Sequence, residues 1–157
     1  MYILAILIFS IILVMFYINN EVTNKKIIEE LKNKPNDYNI NDAINNDNLV
    51  DYYGIIKNLN LLYNFVDDCN NDKTTQITFT SCNNLNELII KTALYKNGKI
   101  YVNIDNTRTT SLDKGIKTFK YDDFELLDND DKLQLTFKNK DEEINFFSYD
   151  KKVGKRQ

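Results

Sequence analysis

Between Glu87 and Arg108 the chain reads ELIIKTALYKNGKIYVNIDNTR, two apolar-rich arms joined at Asn97-Gly98. Period-two alternation around an Asn-Gly pair specifies a β-hairpin, because a two-residue turn needs positive φ at both central residues. The alternation predicts Leu88, Ile90, Thr92 and Leu94 on one face, with Ile100, Val102 and Ile104 on the same face of the partner arm. Such a ribbon cannot bury its apolar face alone. It is therefore expected at the centre of a larger antiparallel sheet.

Ile3 to Ile18, ILAILIFSIILVMFYI, is a different kind of constraint. Only Ser10 interrupts it, and a serine hydroxyl can bond back to the helix. No polar face is present, as a buried globular helix would require, and with Met1 and Tyr2 the run approaches the length of a bilayer span. A cleaved signal peptide is the alternative. No Lys or Arg precedes the run, no small-x-small site follows it, and no Cys lies just beyond it for lipid attachment. The reading is an uncleaved anchor over residues 1–18, with the lipid bilayer as partner through residues 3–18. Lys25, Lys26, Lys32 and Lys34 all follow the run, which by the positive-inside rule alone leaves the domain in the cytoplasm.

Residues 19–40 read as a linker, with a short helix from Glu21 to Lys32 ended before Pro35. A further helical turn is expected around Ala43 and Ile44. From Leu49 the pattern predicts a strand (LVDYYGII, with Gly54 at a bulge or a close backbone approach) and a helix over Leu59 to Cys69 capped by Asn58. Leu59, Leu62, Phe65, Val66 and Cys69 form its stripe. A strand over Gln76 to Cys82 with Ile77 and Phe79 inward follows, then the hairpin. Beyond it, Ile116 to Leu127 changes apolar phase near Asp122-Asp123, which suggests a bulge. Strands over Leu133 to Phe137 and Ile144 to Tyr149 precede a basic tail at 151–157. The expected architecture is α+β: an N-terminal transmembrane helix, then a mainly antiparallel sheet over 41–150 with one helix packed on a face.

With 157 residues and a net charge of −3, the chain has no basic field to grip phosphates, so nucleic acid is not an expected partner. It contains no histidine, the side chain most used for proton transfer near neutral pH and for metal binding. No cofactor, metal site or catalytic set is read from it. Cys69 and Cys82 close a helix and the strand running back along it, which puts them at opposite ends of that unit. A six-residue strand spans roughly 20 Å, against a Cα separation of about 4.4 to 6.8 Å across a disulfide.

Ala43-Ile44, Val50, Gly54, Asn58-Leu59, Phe65, Tyr95-Lys96-Asn97-Gly98, Asp105-Asn106-Thr107-Arg108 and Lys114-Gly115-Ile116-Lys117 occur in an order and spacing that resembles DUF4362. This is a domain of unknown function found mainly in Bacillus-like and clostridial bacteria. The similarity covers roughly residues 41–120. It implies an envelope or secreted protein with no named activity, and it tips the orientation toward an extracytoplasmic domain of a single-pass membrane protein. The chain departs from the pattern in lacking a lipid-attachment cysteine and in carrying the strands from Leu133 to Tyr149.

Asp105, Asn106, Arg108, Lys114 and Lys117 are the candidate binding residues, since a hairpin arm delivers the first three to one end of the sheet and the next loop returns two cations. The structural alternative is an Asx-type turn in which Arg108 pairs with Asp105 and Gly115 relieves a tight φ. Ser111-Leu112-Asp113-Lys114 matches S-x-x-K without its companion motifs. Asp128-Asn129-Asp130-Asp131 lacks the glycine and glutamate of a calcium loop and reads as a hairpin turn. Asp67-Asp68 reads as solvated charge, and Tyr52, Tyr53, Tyr95 and Tyr101 as packing or an interaction surface. Together these features lead to a non-catalytic binding or structural module tethered to the envelope, with an unidentified protein partner. The alternative is an immunity- or inhibitor-like protein that neutralises a toxin or protease.

Overall fold

A computed structural model describes residues 2–83, 85 and 87–154, with side chains outside the description at 2–4, 13, 16–22 and 153–154. The chain forms two compact units, Met1–Lys34 and Pro35–Gln157. The first is one helix, α1 (Tyr2–Lys32), which runs unbroken through residues 19–32 of the expected linker. Ser10 Oγ bonds back to the Leu7 carbonyl at 2.8 Å, as anticipated. Ile6, Leu7, Ile8, Phe9, Ile11, Ile12, Val14 and Met15 are exposed along it. Among the described residues no helix is long and apolar enough to cross a membrane. The expected transmembrane helix is thus unsupported at this level; within Ile3 to Ile18 the described side chains are those at 5–12, 14 and 15.

The second unit opens with α2 (Ile40–Asn45), capped by Asn39, whose Oδ1 accepts from the Asn41 amide at 2.9 Å. Then follow β1 (Leu49–Tyr52), β2 (Ile55–Lys57), α3 (Asn60–Asn70), β3 (Thr75–Cys82), β4 (Leu88–Lys96), β5 (Lys99–Asp105) and β6 (Ile116–Tyr121). They make a six-stranded sheet ordered β2-β1-β3-β4-β5-β6. Only β1 and β3 are parallel in it, joined through β2 and α3. After β6 the chain forms β7 (Asp123–Asp128), β8 (Lys132–Lys138) and β9 (Glu143–Asp150), a separate three-stranded antiparallel sheet, and ends in α4 (Lys151–Gly154). The protein is therefore α+β and mainly antiparallel, but with two sheets. The phase change at Asp122-Asp123 is not the expected bulge: β6 ends at Tyr121 and β7 begins at Asp123, so it marks the point where the chain leaves one sheet for the other.

Three further local expectations are corrected. The segment from Leu49 is a hairpin: Tyr53 and Gly54 take φ of +52° and +84° between paired Tyr52 and Ile55, a primed turn rather than a bulge. Asn58 does not cap α3. Its amide donates to the Asn48 carbonyl at 2.9 Å, while the first turn is closed by backbone bonds from Leu61 to Asn58 and Leu62 to Leu59. The third correction concerns the central hairpin. With Lys96 opposite Lys99, partners on the two arms have opposite parity, so Ile100, Val102 and Ile104 share a face with Tyr95, Ala93 and Lys91. Leu94 faces the other way with Tyr101, and β4 is buried on both faces.

The core lies between the two sheets and α3. Leu62, Phe65, Val66 and Cys69 bury the predicted stripe of α3 against Ile77 and Phe79 of β3, Val102 of β5 and Leu135 of β8. Aromatic rings link the layers: Phe137 meets Phe65 edge-on with centroids 6.2 Å apart and lies 6.4 Å from Tyr121, while Phe79 meets Phe147 at 5.3 Å. A register shift opposite Leu135 and Thr136 lets both Phe146 and Phe147 turn inward. Lys91, on the core face, donates to the Asn145 and Phe146 carbonyls at 3.1 Å each and joins that bulge to the larger sheet.

Candidate functional site

The registers bring Tyr52 of β1, Cys82 of β3, Leu88 of β4 and Asp105 of β5 to one end of the large sheet. Asp105 is fully buried there. Its Oδ1 accepts from the Thr107 amide at 2.9 Å and the Thr107 hydroxyl at 2.6 Å, and its Oδ2 accepts from Arg108 Nη1 at 2.6 Å. The guanidinium lies over the Tyr38 ring, 5.9 Å from its centroid. Asn106 staples the loop closed: Oδ1 accepts from the Gly115 amide at 2.7 Å and Nδ2 donates to the Asp113 carbonyl at 2.9 Å. Gly115 has φ of +150°, a conformation that side chains other than hydrogen strain.

Of the five candidate residues, Asp105, Asn106 and Arg108 come together as a turn and an ion pair. Lys117 faces away to pair with exposed Asp113, and exposed Lys114 contributes its field to Glu87. Glu87 had no local signal in the sequence. It becomes visible only when the two loops meet: its carboxylate accepts from Asn83 Nδ2 and from the Thr110 amide, each at 2.7 Å. Those two bonds, Asn83 first, hold the Glu87 carboxyl below its ordinary pKa.

Between these groups lies a cleft of about 480 Å³, lined among others by Asp37, Tyr38, Tyr52, Cys82, Glu87 and Arg108. A second depression of about 500 Å³ shares Glu87 and carries Leu85 and Leu112, two of the most exposed apolar side chains of this unit. Burial, and then Asp51, pushes the Cys82 thiol upward, away from the thiolate a nucleophile needs. Ser111 sits at the loop tip with Oγ accepting from the Asp113 amide at 3.3 Å. In the Asp128 turn, the carboxylate of Asp128 receives Lys151 and, at 3.0 Å, the Tyr63 hydroxyl. Among the described residues no His, Cys, Asp and Glu cluster could hold a metal ion. Cys69 and Cys82 are both free thiols.

These features define an α+β domain with a loop-built cleft at one sheet end. No family model, curated protein or solved structure matches the chain, so the resemblance to DUF4362 rests on the short segments quoted above.

Proposed function

We propose that the protein is a non-catalytic binding module, held at a bilayer by residues 3–18, that recognises a protein partner at the loop end of its large sheet. One observation carries this reading. The polar groups of the Asp105–Gly115 loop are engaged in fixing its shape, with Asp105 accepting three internal hydrogen bonds beside an open cleft. A rigid loop surface of this kind suits recognition. The exposed Ile6, Leu7, Ile8, Phe9, Ile11, Ile12, Val14 and Met15 of α1 support lipid as their environment, since so large an apolar surface is unfavourable in water.

The DUF4362-like segments favour a domain outside the cytoplasm. An immunity- or inhibitor-like role is the second reading, favoured by the acidic balance and the exposed Leu85 and Leu112. A photo-crosslinking side chain placed at Tyr52 in intact cells is expected to trap a defined partner that the same group at Lys132 does not. No adduct at Tyr52 would overturn the module reading. For the anchor, the full chain should stay with membranes through alkaline carbonate washing, and its release would refute residues 3–18 as a span.

A further inference from the structure

Resting on the module reading, we infer that the cleft receives a positively charged side chain, a lysine or arginine presented by a segment of the partner. The argument is one of charge complementarity. Arg108 is the cation of the lining, and its charge is matched at 2.6 Å by Asp105 behind it. Asp37 and Glu87 remain, and although exposed Lys114 acts on Glu87 it lies outside the lining, so the lining itself carries excess negative charge. Glu87 is fixed in place by Asn83 and Thr110, yet a carboxylate has about four acceptor positions and these two bonds leave room for a third donor. Tyr52, 39% exposed, lines the same cleft, and aromatic rings attract ammonium and guanidinium groups over their faces. Exposed Tyr53, with its ring centroid 4.8 Å from that of Tyr52, adds aromatic surface next to it, as a protein segment rather than a free ion would use.

The test uses the full chain in lipid nanodiscs and three fluorescent, end-blocked peptides of glycine, serine and leucine that differ only at the centre: lysine, norleucine or glutamate. The lysine peptide is expected to bind roughly five-fold or more tighter than the norleucine peptide and to lose that margin in high salt. Asp37→Asn and Glu87→Gln are expected to remove the preference. Asp37→Asn serves where Glu87→Gln disturbs the loops, because Asp37 is exposed. Equal affinity for the lysine and norleucine peptides, or a preference untouched by Asp37→Asn, overturns the inference. If the norleucine or glutamate peptide binds best and Tyr52→Ala abolishes it, the cation reading falls while the binding module stands. Binding of none of the three also overturns the inference, and the module reading is then judged by the crosslink at Tyr52.

Discussion

Asp105 shows how far a single side chain can decide a loop. A fully buried carboxylate is costly unless its charge is met, and here Arg108, only 13% exposed, meets it. Arg108→Ala should therefore destabilise the domain by about 3 kcal/mol, read as a lower urea midpoint, because it strands the buried charge. Adding Asp105→Asn should recover part of that loss; a fully stable Arg108→Ala protein would mean that the pair does not hold the loop. Glu87 behaves differently because pH reaches it. Its pKa is lower folded than unfolded, so its stabilisation is complete above the unfolded carboxylate value and disappears as pH falls through the folded one. Glu87→Gln should flatten that part of the acid limb of a stability-against-pH curve. The Asx turn and the Arg108 pairing were legible because their partners are two or three residues apart. Glu87 was not, since Thr110 reaches it from twenty-three residues away.

At the scale of elements, the central hairpin carries both a success and a correction. Asn97 and Gly98, with φ of +52° and +69°, make the primed turn that the dipeptide specifies. Gly98→Ala should cost about 1 kcal/mol through backbone strain alone, since open space surrounds the added Cβ. The face assignment failed for a geometric reason. Alternation within each arm shows which residues share a side, but the parity between arms is set by the turn, and β4 is apolar on both sides. Val102 is fully buried whereas Ile104 is only partly so. Val102→Asp should accordingly lower the thermal midpoint more than Ile104→Asp, and the reverse order would contradict the observed burial.

Across the whole 35–157 unit, the two sheets and α3 share one core, so they should unfold as one. Phe137 touches α3 through Phe65, the large sheet through Tyr121 and its own sheet through Phe146. Phe137→Ala should cost about 3 to 5 kcal/mol and move a single transition, whether followed by tyrosine fluorescence or by far-ultraviolet circular dichroism. Two separated transitions would show that the three-stranded sheet folds independently.

The sequence by itself determined the local grammar: an apolar helical start, the α3 stripe, alternating strands, the Asn97-Gly98 turn and the change of apolar phase at Asp122, though not that this change separates two sheets. Each of these depends on neighbours within one or two turns or a strand pair. Only the tertiary structure decided that the strands divide into two sheets, that Lys91 reaches the β9 bulge, and that Glu87, Tyr38 and Tyr52 meet Arg108 around a cleft. Those are contacts between segments far apart in the chain, and periodicity carries no information about which distant surfaces will close upon each other.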